Sequence, residues 1–274
     1  MAPILLVVHP ERPAAWELAS AARAWWERHG REVIEVRHAA PGVALAGSDD
    51  LEFAISLGGD GTMLRTVELV VGAGVPVLGV NLGRMGYLTA VEPAGIEVAF
   101  EKMLAGDYRV EERMALEVEL SGSAPGRYTA LNDAIVERTG PGHTIHVAVE
   151  IAGRPFLTYI ADGILVSTPT GSTAHNLSAR GPVVSPRLQA MVLTPVSPHM
   201  LFDRSLVLEP SEEVRLTVVA DRAATAVVDG ARIIQLALGD SVVCRPAPEP
   251  ARLISFGARD FHSALRQRFG LTDL

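Results

Sequence analysis

Lysine is almost missing from this chain: Lys102 is the only one, and arginine supplies the rest of its 24 basic residues. Neither lysine-bearing phosphate motif, G-x-x-x-x-G-K-[ST] or the V-A-I-K strand of protein kinases, is therefore present. Phosphate chemistry here must rest on backbone amides, arginine, histidine or a metal ion. Cysteine is as scarce. The single Cys244 excludes an internal disulfide and a Cys-rich zinc site, and nothing calls for an oxidising compartment. Long hydrophobic runs are missing too; the N-terminal ILLVV is too short to span a bilayer and has no basic flank. The 32 acidic residues outnumber the 24 basic ones, a net charge of −8 that repels a nucleic-acid backbone overall. These absences point to a cytoplasmic protein with neither a nucleic-acid nor a membrane partner.

What is present is a globular composition, 48% hydrophobic and 20% charged over 274 residues. At about 150 residues per domain, that length suggests two domains. From residue 3 to about 93, short apolar runs alternate with helical patterns, the mark of βα units around a parallel sheet. Strands are expected at 4–8, 53–57 and 76–80, and helices at 13–29 and about 62–71. Proline opens the first helix and Gly30 lies just past its end. Beyond about residue 106 the texture becomes β-rich until about 245. A last strand and an amphipathic helix carrying Phe261, Leu265 and Phe269 follow.

LGGDGTMLR (57–65) runs from a strand through Gly58, Gly59, Asp60 and Gly61 into a helix that starts near Thr62. Glycines let backbone amides approach a ligand, and a helix N-terminus favours negative charge. Phosphate suits such a loop. Asp60 is then an anion in an anion site, as a base toward a hydroxyl, a partner of Mg2+, or simply a helix cap. NLGRMGYLT (81–89) places a second glycine loop at the carboxyl end of the next strand, where open α/β sheets bind ligands. Arg84 and Tyr87 are its candidate phosphate and base contacts. LNDAIVER puts Asn132 and Asp133 in a strand context that they disfavour, as a bulge or as ribose-binding groups. DGILVSTPTGSTAHNLSARGP crowds hydroxyls and free amides into one stretch, with a short helix expected from Thr173. His143, His175 and His199 lie in loop-like contexts without metal-ligand spacing.

In this order the motifs LGGDGTML, NLGRMGYL, LNDAIVER and DGILVSTPTGSTAHNLSARGP resemble the NAD kinase family. GGDGT recurs in lipid kinases and resembles the phosphofructokinase phosphate loop, whereas the Asn-Leu-Gly and Thr-Pro-Thr-Gly-Ser-Thr-Ala elements are characteristic of NAD kinases. The resemblance implies phosphoryl transfer from ATP or polyphosphate to the 2′-hydroxyl of the adenosine ribose of NAD, with Asp60 as general base and Mg2+ accompanying the donor. It implies a phosphate loop at Gly58, Gly59 and Thr62. Substrate contacts would come from Gly61, Arg65, Tyr87, Asn132, Asp133, His143, Asp162, Thr170, Thr173, Ala174, His175, Asn176, Leu177 and Ser178. It further implies an α/β N-terminal domain with a parallel sheet (1–98), a mostly β, sandwich-like domain (99–255), a C-terminal helix (256–274) returning to the first, a site between them, and homodimers or homotetramers. Arg180 departs from the family's common glycine and is either a phosphate contact or a surface ion pair. Two other readings stay open: a lipid or other hydroxyl kinase of the GGDGT superfamily, and a non-catalytic dinucleotide sensor.

Overall fold

The computed structural model describes residues 2–37, 42, 44–83, 86–220, 222–257 and 261–270. The chain divides into two compact units, Met1–Glu112 with Pro250–Leu274, and Arg113–Glu249.

The first unit opens with β1 (Ile4–Val8), α1 (Pro13–Arg28) and β2 (Val33–Val36), followed by β3 (Phe53–Gly58), α2 (Asp60–Val70), β4 (Val77–Asn81), α3 (Ile96–Ala105) and β5 (Arg109–Arg113). β1 pairs in parallel with β2 and β3, and β3 with β4. Every residue of β1, β3 and β4 is buried, as a parallel strand covered on both faces requires. α1 and α3 share one face. Their Ala15, Ala19, Ala22, Trp25, Trp26, Phe100 and Met103 close over Ile4, Leu6, Ile55, Leu57 and Leu78. α2 takes the other face, where a Cβ on Gly79 would lie 3.1 Å from Met63 Sδ. Proline stands at the start of α1 as expected, and Gly30 leaves it with a left-handed φ of 74°.

The second unit is antiparallel. Its strands are β6 (Leu116–Ser121), β7 (Gly126–Ala130), β8 (Asp133–Arg138), β9 (Ile145–Ile151), β10 (Arg154–Ala161) and β11 (Gly163–Ser167), then the single-turn α4 (His175–Ser178). β12 (Met191–Val196), β13 (Leu206–Leu208), β14 (Val214–Val218), β15 (Ala224–Val228), β16 (Ala231–Leu236) and β17 (Ser241–Pro246) complete it. They form two six-stranded sheets, β10-β9-β14-β17-β6-β7 and β13-β12-β11-β8-β15-β16. Val118, Val147, Leu216 and Val242 of the first sheet and Val136, Ile164, Val166 and Leu193 of the second belong to one hydrophobic cluster, so the unit is a sandwich. β6, β9 and β14 alternate buried and half-buried residues, the period of two that shows one face to the core. Cys244 is wholly buried, and burial with the Glu213 charge pushes its thiol up to about 12.

β18 (Ala251–Ser255) then pairs in parallel with β4 and completes the first sheet as β2-β1-β3-β4-β18-β5; α5 (Phe261–Phe269) follows in the same unit. The expected boundary after residue 98 is corrected to 112. It would have cut α3, whose Ile96, Ala99, Phe100 and Met103 all lie in the first unit's core. The switch back falls at 249 rather than 255, because β18 is a strand of the first sheet.

Trp26 is fully buried, its ring centroid 4.9 Å from that of Phe100, 5.0 Å from Trp25 and 6.4 Å from Phe53. Trp26→Ala should cost about 3–5 kcal/mol, read as a fall of several degrees in the thermal midpoint; an unchanged midpoint would refute this packing role.

Candidate functional site

The first group of functional residues sits where β3 and β4 end. α2 starts at Asp60, two residues before the expected Thr62, with Gly59 at its N-cap in extended conformation. The Asp60 side chain does not cap its own helix. Its Oδ2 accepts the Tyr87 amide at 3.0 Å and its Oδ1 the Leu88 amide at 3.2 Å, so it anchors the second glycine loop. A Cβ on Gly86 would collide with the Asp60 carboxylate, which is the physical reason for that glycine. The Leu82 amide donates to the Gly58 carbonyl at 2.6 Å, joining the two loops a second time. Asn81 folds its own loop by accepting the Gly83 amide and donating to Glu92.

The glycines of the first loop serve different ends. A Cβ on Gly58 would collide with the Thr62 hydroxyl, so Gly58 is needed for internal packing. Among the described residues nothing beyond their chain neighbours lies within 4 Å of such a Cβ on Gly59 or Gly61. Arg65, an expected substrate contact, instead forms an ion pair with Glu68 one turn along α2, with both side chains mostly buried. Tyr87 is half-buried. Arg84 lies outside the described residues.

The second group sits in the β unit, around a break in the chain. The expected single strand through LNDAIVER is two: β7 ends at Ala130 in one sheet and β8 begins at Asp133 in the other. Between sheets, the amides of residues 131–133 lose their ladder partners, and the Asp229 carboxylate takes all three, from Leu131 at 2.8 Å, Asn132 at 2.8 Å and Asp133 at 3.0 Å. The sequence reading missed Asp229. Its signal was the Asp-Gly dipeptide between two apolar runs, a two-residue hairpin that the structure shows with φ of 46° and 79°.

The hydroxyl-rich segment lies against the same break. Thr168 donates through Oγ1 to the Leu131 carbonyl at 2.6 Å and through its amide to the Asn132 carbonyl at 2.9 Å. A Cβ on Gly171 would collide with the Asn132 carbonyl, so only glycine fits there. The expected helix from Thr173 is a 3-10 turn, Gly171–Thr173, followed by α4. Three side-chain groups at this place have no hydrogen-bond partner among the described residues: the Asn132 carboxamide, the Asp133 carboxylate and the buried Thr170 hydroxyl. Burial, with the Asp229 charge adding to it, raises the Asp133 carboxyl to about 7.

Other expected contacts stand differently. Asn176 is wholly buried; its Nδ2 donates to the Ser172 and Pro182 carbonyls and its Oδ1 accepts the Thr194 hydroxyl at 2.7 Å. Its amide therefore holds the loop together, with both N–H donors used inside the protein. Thr173 is buried, Ala174, His175 and Leu177 are half-buried, and Ser178 is exposed. Asp162 pairs with Arg138 at 2.9 Å, and the exposed His143 follows β8. Because β8 and β11 run antiparallel, with Asp133 opposite Ser167 and Glu137 opposite Gly163, both lie at the far end of β8 from Asn132. At about 3.3 Å per residue the strand separates them by some 17 Å. Arg180 is exposed with a φ of 65°, a left-handed conformation that explains a glycine preference there, and no ion pair joins it among the described residues.

An anion-receptive glycine loop with a fixed carboxylate on a parallel sheet, and a separate β unit with unsatisfied polar groups beside a hydroxyl-rich loop, define a phosphate-handling enzyme of the α/β-plus-sandwich class. Residues 43–108 match the family model of the ATP-NAD kinase N-terminal domain, and 131–256 that of the ATP-NAD kinase C-terminal domain. The NAD kinase of Heliobacterium modesticaldum is 41% identical over 96% of this chain and 96% of its own length. That of Wolinella succinogenes is 38% identical over 98% and 95%. An Archaeoglobus fulgidus NAD kinase solved in complex with ATP superposes with a TM-score of 0.75 at 26% identity, over 97% of each chain. A yeast NADH kinase complexed with NADH shares the fold, with a TM-score of 0.82 at 22% identity over 100% and 89%. The chain belongs to the NAD kinase family.

The raised Asp133 carboxyl has a consequence for stability. Unfolded, an aspartate titrates near 3.9, and folded this one titrates at about 7. Between those values the native state binds more protons than the unfolded one, so this residue costs stability as pH rises through the window. Asp133→Asn should therefore raise the thermal midpoint more at pH 8 than at pH 5; an equal shift at both would refute the assignment.

Proposed function

We propose that this chain transfers the terminal phosphoryl group of ATP to the 2′-hydroxyl of the adenosine ribose of NAD, giving NADP, with Asp60 as the general base. The observation that carries this reading is the Asp60 carboxylate, clamped by the Tyr87 and Leu88 amides and set between Gly59 and Gly61, with no described residue near a Cβ built on either glycine. A carboxylate offers about four lone-pair sites. Two amides leave capacity for a hydroxyl proton and fix the direction from which it is taken. The attacking oxygen loses its proton to Asp60 as it bonds to phosphorus, and the bond to the leaving phosphate oxygen breaks.

Asn132, Asp133 and Thr170 supply the unsatisfied polar groups suited to ribose hydroxyls. With its carboxyl near 7, Asp133 can donate or accept a hydrogen bond at neutral pH. Mg2+ belongs to this reading as the ion carried by the donor's phosphates, where it would neutralise their charge. Polyphosphate is the second donor to test. A cytoplasmic address is in keeping with the single buried Cys244, and no described helix is long and apolar enough to cross a membrane. Assembly as a homodimer or homotetramer rests on resemblance to the family.

The test is NADP formation by the purified protein from NAD and Mg2+ with ATP, polyphosphate or no donor, beside Asp60→Asn. Donor-dependent NADP is expected from the native chain, with kcat lower by about 10²–10⁴ in the variant and substrate affinities within a few-fold. A variant that turns over normally would remove Asp60 from the base role, and silence with every donor would overturn the activity itself.

A further inference from the structure

The donor's phosphates carry several negative charges, yet the loop that faces them has no lysine. Arg65, the arginine that its own helix provides, is committed to Glu68. β1 ends beside β3, with the His9 amide donating to the Leu57 carbonyl at 3.0 Å, and the chain then passes through residues 9–12 to the start of α1. The sheet order β2-β1-β3-β4 reverses direction between β1 and β3. Open α/β sheets take their ligands at the carboxyl ends of the strands flanking such a reversal.

Arg12 stands there. Its Nη1 donates to the Leu82 carbonyl at 3.0 Å, and the Leu82 amide donates to the Gly58 carbonyl at 2.6 Å. One residue, Leu82, thus links the guanidinium to the phosphate loop through its carbonyl and its amide. A Cβ on Gly83 would come within 2.9 Å of Nη1, so glycine at 83 leaves room for the guanidinium. The Leu82 carbonyl is the one partner of the Arg12 side chain among the described residues, and Arg12 is an exposed residue. Nor does the side chain cap α1, although Arg12 is its N-cap residue. An arginine fixed by one N–H with the others open is suited to gripping phosphate oxygens in pairs, which an ammonium cannot do.

We propose that Arg12 is a donor-binding residue, holding the phosphate chain of the phosphoryl donor against the Gly58–Gly61 loop. The inference rests on reading that loop as the phosphoryl-transfer site. Its test is built on direct binding, so that it can fail separately from that reading. ADP and inorganic tripolyphosphate, each with Mg2+, are titrated calorimetrically into the native chain, Arg12→Ala and Arg12→Lys, with NAD titrated in parallel and KM measured for ATP and for NAD.

We expect ADP and tripolyphosphate to bind at least ten-fold more weakly to Arg12→Ala, with a shallower salt dependence. Arg12→Lys should recover part of the loss, KM for ATP should rise in step, and NAD affinity and the thermal midpoint should hold. Equal phosphate binding by the native chain and Arg12→Ala would overturn the proposal. So would a joint fall in phosphate affinity, NAD affinity and thermal midpoint, which is the signature of a residue that merely supports the Leu82 loop. A native chain that binds tripolyphosphate through Arg12 yet makes no NADP would instead overturn the kinase reading and leave Arg12 a phosphate ligand.

Discussion

At two of the loops that carry candidate site residues, backbone amides outside the strand ladders are taken up by an aspartate. Asp60 accepts the amides of Tyr87 and Leu88, and Asp229 those of Leu131, Asn132 and Asp133. An unsatisfied buried amide costs about 1–3 kcal/mol, and a charged acceptor forms stronger bonds than a neutral one. Without these carboxylates neither irregular segment would keep its shape. Each irregularity also exposes chemistry: the first fixes a carboxylate over open glycines, and the second leaves Asn132 and Asp133 with hydrogen-bonding capacity that regular β structure would have placed elsewhere.

The glycines complete this arrangement by letting backbone and side chain approach. Gly86 admits the Asp60 carboxylate, Gly171 the Asn132 carbonyl and Gly181 the Asn176 amide. Gly59 and Gly61 admit nothing internal.

Arginine does all the long-range cationic work, and most of it is structural. Arg245 joins Glu117, Glu119 and Glu213 across three neighbouring strands, and these carboxylates hold its guanidinium even more firmly protonated than usual. Exposed pairs contribute little singly, but a shared arginine fixes strand register in a network. Arg31, Arg65 and Arg138 are likewise paired with Glu52, Glu68 and Asp162. Arg12 is not in such a pair among the described residues; its one partner there is the Leu82 carbonyl.

The sequence by itself determined the class of each half, because hydrophobic period, glycine-rich strand ends and turn residues act locally. The βα order, the β-rich second half and the chemistry of the Gly58–Gly61 loop were all legible. Tertiary structure decided what each side chain is free to do. Arg65 and Asn176, expected as ligand contacts, also pair with Glu68 and with the latter's own loop, and Asp229, almost 100 residues beyond Leu131, holds the break at Asn132. β18 returned to the first sheet through pairing with β4, a contact that no local pattern carries. Hydrogen-bonding capacity is spent between residues remote in sequence, so which groups remain for a substrate is settled only when the chain has folded.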